Sequence, residues 1–457
     1  MLDRPVSTVR QVFLKIAISC IAALHFTVVS FASPAFAGSA PDTSIGTTHQ
    51  LPPIKEIATR YIKLILGIGE HEAGYIDAYY GPARYAADAK TDAKSLDALR
   101  SEASDLLAFV RAYQTTGDTD PMRNQRMAMF EKQLIAAETR IRMLQGERFT
   151  FDEETRLLFD AVAPSVSVKE LEATYKKLDK LVKGDGNLQE RMVAFKAGFK
   201  IPTEKLASVF EVAISECRAR TKEHISLPKG ESFTKEFVKD KAWSGYNWFQ
   251  GKANSLIQVN TDLPSAIESA VNLGCHEGYP GHHVFNSLLE QKLVNERGWE
   301  EYSVYPLYSP QSFLAEGTAS YARHMAFPGK EQQAFEIEVL YPLANLDPTK
   351  ARAYITTLNA LGGLRYARIE GARRYLDGEI TREELVNWIK RYNLVSRKRA
   401  EQSAVFIEKY RGYVINYTLG SDLTKAYLDK HAGSDHKARW ALYTRLISEP
   451  FTASMLR

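Results

Sequence analysis

Three histidines and one glutamate lie within a segment of eight residues, HEGYPGHH, from His276 to His283. Each polar ring nitrogen that is taken out of water needs a partner, so packing alone does not explain this density of histidines. A hydrolytic zinc site needs about three protein ligands, an open position for water and a carboxylate that takes the proton of that water. The segment therefore predicts a metal centre for hydrolysis.

His276 and Glu277 match the first half of the H-E-x-x-H pattern, in which two histidines one helical turn apart bind zinc and the glutamate is general base. The position of the second ligand is occupied by Pro280. On an unbroken helix, at about 100° per residue, His283 returns to the face of His276. Proline followed by glycine favours a bulge or an inserted turn, which would place His282 in the ligand position instead. Geometry alone leaves both histidines open.

The segment HEGYPGHH and the later E-G-x-x-x-Y segment at residues 316–321 resemble domain-of-unknown-function family 885. Its members are bacterial proteins regarded as relatives of zinc metallopeptidases of the Glu-zincin type. The resemblance extends from about Ile54 to the C-terminus and includes the weaker segments 259–264 and 413–420. The chain departs from the family at Thr318, where many members have tryptophan, and this departure concerns the shape of the nearby pocket.

The resemblance implies a complete zinc site. It assigns His276, His282 and Glu316 as the zinc ligands and Glu277 as the general base. A glutamate in an apolar helix is otherwise most often exposed or paired with a cation, so the resemblance, and not the spacing, identifies Glu316 as a ligand. No such support exists for His324, for which we expect a structural role near the site.

Amide hydrolysis also needs a donor for the negative charge that develops on the carbonyl oxygen, and tyrosine, histidine or arginine can supply it. Tyr417 lies in a segment that carries the resemblance and is the first candidate for this role. Arg411 is the second candidate. Most arginines of the basic stretch between Arg365 and Arg411 are expected to be solvated or paired on helix faces.

A second cluster of polar and aromatic residues runs from His71 to Pro82 and contains a His-Glu pair. No further histidine follows at metal spacing, so the cluster does not predict a metal site. Its tyrosines suit the lining of a substrate cleft, and a helix that ends at Gly81-Pro82 explains the pattern equally well.

Helical spacing of apolar residues dominates the chain. It predicts helices at residues 54–66, 95–115, 123–145, 168–183, 189–198 and 203–222, and Thr150 with Glu153 fits a capping box. Ser255–Asn260 is the best strand signal, either an edge strand that pairs with an extended substrate or a short buried hairpin strand. We therefore expect a mostly α fold: a large helical zinc-peptidase-like domain with a small β element beside the metal helix.

Residues 1–37 have the pattern of a secretory signal peptide, and residues 38–457 are expected to form a single domain. Basic residues at positions 4, 10 and 15 precede an apolar run at 16–32, and Ala-Phe-Ala offers a cleavage site before Gly38. A retained membrane anchor is the rival interpretation, and a lipid anchor at Cys20 is a weaker one. The prediction is a secreted, periplasmic protein with no stable membrane anchor after cleavage.

Charge and cysteine content exclude several classes of protein. Cleavage of the signal would remove three basic residues and one acidic residue and so lower the net charge from +4 to +2. No long basic run remains, which argues against a nucleic-acid partner. Only Cys217 and Cys275 remain, which could form one bridge but are too few for a disulfide-stapled scaffold. Cys275 points about 100° away from His276 on a helix, and we expect it to be a buried free thiol.

The predicted function is that of a zinc-dependent hydrolase, a peptidase that cleaves amide bonds in peptides or other amides with Zn²⁺ as cofactor. The alternative is a catalytically inactive metal-binding or peptide-binding protein. Glu277 favours the enzyme, because a purely structural zinc site does not require it. A helical scaffold without metal is a third hypothesis. The substrate, the position of the cut and the oligomeric state are left open by the sequence.

Overall fold

Helices built on the predicted apolar spacing fill the first half of the described chain. The computed structural model describes residues 51–457, so the predicted signal at residues 1–37 lies outside the described residues. The six helices predicted from apolar spacing are present, with their apolar faces buried. The bounds are α1 Ile54–His71, α2 Ala83–Thr91, α3 Leu96–Gln114, α4 Pro121–Leu144, α5 Phe151–Phe159, α6 Val168–Leu181, α7 Leu188–Ala197 and α8 Leu206–Lys222.

Capping boxes set where several of these helices begin. At α5 the Thr150 hydroxyl accepts a hydrogen bond from the N–H of Glu153, whose carboxylate accepts one from the N–H of Thr150, as the sequence predicts. The same arrangement begins α6 at Ser167 and α7 at Asn187. Each box satisfies backbone N–H groups that the first turn of a helix leaves without partners.

Two small sheets accompany the helices. Strands β1 (Ile76–Tyr79) and β5 (Val304–Pro306) pair antiparallel, and a second sheet has the order β2-β4-β3. The bounds of its strands are β2 Ser232–Val238, β3 Gly245–Gly251 and β4 Asn254–Asn260.

The predicted strand Ser255–Asn260 is present as β4, but the prediction that it is an edge strand is wrong. It pairs in parallel with β2 and antiparallel with β3, so both of its edges are occupied. The alternative, a short buried hairpin strand, fits the β3–β4 hairpin. The alternation of residues in a strand indicates which of them face the core. The strands that pair with it depend on contacts between distant segments, which the alternation does not show.

The second half of the chain is again helical and includes three π-helical segments, Gly274–Gly278, Glu290–Glu296 and Glu336–Leu340. The bounds of its α-helices are α9 Glu268–Leu273, α10 His282–Leu289, α11 Pro310–Ala326, α12 Glu331–Phe335, α13 Tyr341–Leu343, α14 Ala351–Ala360, α15 Ala367–Leu376, α16 Arg382–Tyr392, α17 Arg397–Tyr410, α18 Ile415–Ala432 and α19 His436–Leu446.

The helix that carries HEGYPGHH is interrupted where proline and glycine predict an interruption. A π-helical turn covers Gly274–Gly278, the backbone is extended at Tyr279, and α10 begins at His282. A Cβ atom at Gly281 would collide with the carbonyl oxygen of His276, so no larger residue fits there. The interruption changes which histidine of the pair at 282–283 faces His276.

Helices α11 and α18 pack at very short range. A Cβ atom at Gly317 would lie 2.7 Å from the Cα atom of Gly420, a distance that side chains do not adopt. The two glycines therefore let the helix backbones approach each other closely. Since Glu316 precedes Gly317, this contact brings Glu316 near the first turn of α18.

Cys217 and Cys275 form a disulfide, with their Cα atoms 5.6 Å apart. The prediction of a free thiol at Cys275 is therefore wrong, although its side chain is fully buried as expected. The expected direction, away from His276, leads to α8, which carries Cys217. The sequence leaves one bridge possible, since only these two cysteines follow the predicted signal, but only the fold shows that residues 58 positions apart lie side by side.

Residues Leu51–Arg457 form one compact unit. One large buried core joins most elements, and a smaller cluster around Leu171 and Leu178 packs near α6 and α7. Within this part of the chain, none of the helices combines the length and the apolar character that a membrane crossing requires.

Candidate metal centre

Two histidines and a glutamate from three different elements converge. His276 lies in the π-helical turn, His282 is the first residue of α10, and Glu316 lies in the middle of α11. Nε2 of His276 is 3.1 Å from Nε2 of His282. Glu316 Oε2 is 3.1 Å and 3.5 Å from these two nitrogens. The structure thus brings together the three residues predicted as metal ligands, with atoms that can all reach one ion.

The hydrogen bonding of the Glu316 carboxylate indicates whether these three residues fit a metal ion. Its Oε1 accepts a hydrogen bond of 2.8 Å from the Tyr413 hydroxyl, which orients the carboxylate. Its Oε2 is buried, and no donor within residues 51–457 is aligned to form a hydrogen bond with it. Leaving a buried carboxylate oxygen without a donor is costly. Two imidazoles and one carboxylate are a ligand set that catalytic zinc uses, so the residues fit zinc.

His283 lies outside the group. Its side chain is 1% exposed, and both of its ring nitrogens have other partners. Nδ1 lies 2.9 Å from Ser255 Oγ, and Nε2 lies 3.0 Å from Glu231 Oε2. Of the two candidates that helix geometry leaves open, the structure therefore places His282 beside His276 and gives His283 a packing role.

The charged forms of Glu316 and His282 stabilise each other. Burial raises the pKa of Glu316, but the charge of His282 and the contact with His276 outweigh it and hold the pKa well below its usual range. Burial lowers the pKa of His282, but the negative charges of Glu316 and Glu277 outweigh it and raise the pKa to about 9. The group therefore favours a positive charge between its members, and a divalent cation can supply it.

Glu277 is placed to act as a proton acceptor. It follows His276 on the π-helical turn, is 4% exposed and lines the same cavity. Its backbone carbonyl accepts a hydrogen bond of 2.8 Å from Asn247 Nδ2, which ties the turn to β3. Burial raises the pKa of Glu277. A carboxylate with a raised pKa is better matched to proton transfer near neutral pH than an ordinary one.

Tyr417 lies close to the ligands, whereas Arg411 does not line the cavity. The Tyr417 ring is 6.2 Å from the His276 ring, with 20° between their planes. Burial and the negative charge of Glu316 raise the pKa of Tyr417 well above its ordinary value, so its hydroxyl remains a donor. The Arg411 guanidinium instead pairs with Glu154, at 2.7 Å between Nη2 and Oε2. The structure thus leaves Tyr417 as the candidate donor.

A cavity of about 950 Å³ contains the predicted site. Residues Gly245, Tyr246 and Asn247 of β3 form part of its wall. Asp77 of β1 also lines it and accepts a hydrogen bond of 2.7 Å from the Tyr246 hydroxyl. Burial raises the pKa of Asp77 to about 6, against this hydrogen bond and the charge of His282. The strand that lines the cavity is therefore β3, whereas the predicted strand β4 contacts α10 through Ser255 and His283.

Sequence reasoning missed Tyr413 and Asp77. Tyr413 lies four residues before Tyr417 in the same resemblance-bearing segment, and this spacing was the signal that it belongs to the site. Asp77 lies in the cluster at residues 71–82, for which a helix ending at Gly81-Pro82 was one interpretation. That interpretation is wrong, because α1 ends at His71 and Asp77 lies on strand β1.

Thr318, at the position where many members of the resembling family have tryptophan, does not reach the cavity. Thr318 is buried, and its hydroxyl donates to the carbonyl of Leu314 in its own helix at 2.7 Å. Thr318 is not among the residues that line the cavity. Thr318 therefore packs within the protein, and other residues form the described cavity wall.

No family model matches the chain, and no curated protein matches it. Similar solved structures include a candidate lipoprotein from Colwellia psychrerythraea, with 14% identity and a TM-score of 0.49 over 81% of this chain and 70% of that one. They also include an M32 carboxypeptidase from Deinococcus radiodurans, with 11% identity and a TM-score of 0.44 over 88% and 92% of the two chains. These scores are too low to carry an argument about family or function.

Proposed function

We propose that this protein is a zinc-dependent hydrolase of the metallopeptidase kind, with His276, His282 and Glu316 as ligands. The observation that carries the proposal is the buried Oε2 atom of Glu316, which has no aligned donor but lies 3.1 Å and 3.5 Å from two imidazole nitrogens. Glu277 supports an enzyme over a structural zinc site, because a structural site does not require a buried carboxylate at the wall of a cavity.

In the proposed mechanism, a zinc ion held by the three ligands would polarise the amide carbonyl and lower the pKa of a water molecule. Glu277 takes a proton from the attacking water and passes it to the nitrogen of the leaving amine. The Tyr417 hydroxyl donates a hydrogen bond to the carbonyl oxygen as negative charge develops there. Tyr413 holds Glu316 through its hydrogen bond to Oε1.

The cavity supports a peptide or another amide as substrate. Its volume of about 950 Å³ lies at the upper end of the range typical of small-molecule sites. Gly245, Tyr246 and Asn247 line its wall on β3, which is an edge strand of its sheet within the described residues. A free strand edge can pair with the main chain of an extended peptide without requiring a particular sequence.

We further propose membership of domain-of-unknown-function family 885 and secretion into the periplasm. The segment HEGYPGHH supports the first proposal. The disulfide between Cys217 and Cys275 supports the second, because disulfides persist in oxidising compartments. Fractionation of the producing cells, with sequencing of the mature N-terminus, tests secretion. A mature chain that begins near Gly38 in the periplasmic fraction is the expected result.

Metal content tests the proposed site. The purified protein, His282→Ala and His283→Ala are compared by elemental analysis and by hydrolysis of a mixed peptide set. We expect about one zinc ion per chain and peptide hydrolysis in the wild type, and loss of both in His282→Ala. His283→Ala is the matched control, since it changes the adjacent histidine but leaves the three ligands intact.

Each contrary outcome has a distinct meaning. Loss of zinc only in His283→Ala contradicts the ligand set. Zinc without hydrolysis of any peptide, ester or amide favours the alternative, a catalytically inactive metal-binding or peptide-binding protein. Absence of zinc from all three proteins, after growth with added zinc, favours a helical scaffold.

A further inference from the structure

Arg368 is a cation at the cavity wall that has no anionic partner within the described residues, 51–457. It lies in the first turn of α15, and its side chain is partly exposed to the cavity. Within residues 51–457, its guanidinium forms no ion pair and donates no hydrogen bond. Burial lowers the pKa of Arg368, and the negative charge of Glu316 opposes this shift only in part.

Two aromatic rings lie beside the Arg368 guanidinium. Its central carbon lies 5.3 Å from the centre of the Phe406 ring and 5.8 Å from the centre of the Tyr417 ring. A cation–π contact uses none of the N–H donors of the guanidinium. These donors lie in one plane and match the two oxygens of a carboxylate.

The two arginines that are most fully buried within residues 51–457, Arg126 and Arg373, have carboxylate partners. Arg126 forms a two-point contact with Glu301, with distances of 2.6 Å and 2.9 Å. Arg373 donates to Glu370 at 2.6 Å. Removing a charge from water without a partner is costly, and these pairs avoid that cost. The absence of such a carboxylate at Arg368, within the described residues, points to an anion that comes from outside.

Two more arginines make this part of the cavity positive. Arg323 donates to Gln332 at 2.8 Å, and Arg399 donates to Gln402 at 3.4 Å. Both line the cavity, and neither forms an ion pair within the described part of the chain. Their glutamine partners are neutral, so neither charge is paired with a carboxylate within the described residues, and the potential here favours an anionic group of the substrate.

The position of Arg368 relative to the metal ligands limits which anion it can bind. Its guanidinium lies 5.8 Å from the Tyr417 ring, which lies 6.2 Å from the His276 ring. The guanidinium is therefore no more than about 12 Å from that ligand, a distance that three or four extended residues span. A substrate group at this distance from the cleaved bond belongs to the same short stretch of peptide.

We infer that Arg368 binds the free C-terminal carboxylate of the substrate, so that the enzyme cleaves peptides within a few residues of the C-terminus. This inference rests on the proposed peptidase function. In the reaction, one water molecule adds across one amide bond. Its hydroxyl goes to the acyl carbon, and a proton goes through Glu277 to the amine of the released C-terminal fragment. Arg368 is a specificity residue and takes no part in proton transfer.

Matched substrates test the inference. N-acetylated pentapeptides of mixed sequence are prepared as free acids and as C-terminal amides, and mass spectrometry identifies the products of the zinc-loaded enzyme. We expect the wild type to prefer the acids on the order of 10- to 100-fold in kcat/KM, as one charge-assisted pair supplies. Arg368→Gln is expected to reduce cleavage of the acids and to bring the acid-to-amide ratio close to one.

A binding experiment gives a readout that does not depend on turnover. In the Glu277→Gln background, calorimetry compares the affinities of an acid and its amide for the zinc-loaded protein. We expect the acid to bind on the order of tenfold or more tightly, and the added Arg368→Gln change to remove this difference. Arg368→Lys keeps the charge but loses the planar fork, and is expected to keep part of the preference.

The matched control is Arg374→Gln on the same helix. Arg374 pairs with Glu370 at 2.9 Å and does not line the cavity, so the acid preference is expected to remain. If the wild type cleaves acids and amides equally, or if Arg368→Gln and Arg368→Lys both keep the full preference, the inference is overturned while the peptidase proposal stands. If the wild type cleaves neither set, the peptidase proposal itself fails.

Discussion

Two groups of charged residues line the same cavity, and they balance their charges differently. The ligand group consists of the ligands His276, His282 and Glu316 and the adjacent Glu277. It carries two carboxylates and two imidazoles, and the three ligands are in close contact. The arginine group, Arg323, Arg368 and Arg399, carries three cations without an ion pair in the described part of the chain. The first group therefore favours a cation, and the second favours an anion.

The difference indicates which partner each group requires. Charges in the ligand group compensate each other only if a proton or a metal ion lies between them, as the pKa of about 9 at His282 indicates. Charges in the arginine group cannot be compensated by deprotonation, because arginine stays protonated at physiological pH. A metal ion and a substrate carboxylate would therefore complete two parts of one site.

The largest expected effect comes from the proton acceptor in the ligand group. Glu277→Gln keeps the size of the side chain but removes its ability to take a proton from water. We expect kcat to fall on the order of 10²- to 10⁴-fold. Elemental analysis is expected to find zinc retained, since Glu277 is not among the three ligands. Retained turnover in a zinc-loaded variant contradicts the assignment of Glu277 as base.

Smaller effects on turnover and zinc binding are expected at Tyr417 and Tyr413, which lie beside the metal ligands. Tyr417→Phe removes the donor to the carbonyl oxygen, and kcat is expected to fall on the order of 10²-fold with zinc retained. Tyr413→Phe removes the hydrogen bond to Glu316 and is instead expected to weaken zinc binding on the order of tenfold. Competition with a chelator and steady-state kinetics separate the two effects. Identical behaviour of the two variants argues against different roles.

The smallest effect is expected behind the arginine group, at Glu336, whose negative charge acts on Arg323. Burial raises the pKa of Glu336 to about 7, so the folded state favours its protonated form. The resulting stabilisation is fully present below the ordinary pKa of the carboxyl group and is lost as the pH rises through about 7.

Glu336→Gln is permanently neutral and removes this dependence on pH. At pH 8 the variant is expected to be more stable than the wild type by about 1–3 kcal/mol, with a smaller difference at pH 5. Denaturant unfolding at the two pH values measures the difference. Glu338→Gln, at an exposed position of the same π-helical segment, is the matched control and is expected to change stability little. An equal response of both variants contradicts the role of burial.

Local patterns in the sequence predicted the elements of the fold well. Apolar spacing predicted α1, α3, α4, α6, α7 and α8, and the capping box at Thr150 predicted where α5 begins. Helix formation depends on neighbours three and four residues away, which the sequence displays directly. The pairing of β4 with β2 and β3, and of Cys217 with Cys275, depends on distant segments and was not predictable in this way.

The sequence by itself determined the candidate chemistry of this protein. Histidines, a glutamate and a Pro-Gly break within HEGYPGHH predicted a metal centre with an interrupted helix, because these are properties of residue type and local spacing. Only the tertiary structure decided that His282 and not His283 faces His276, that Tyr413 holds Glu316, and that Arg368 lacks an ion pair within residues 51–457. These outcomes depend on how α10, α11, α15 and α18 pack, and packing between distant segments is set by the whole fold.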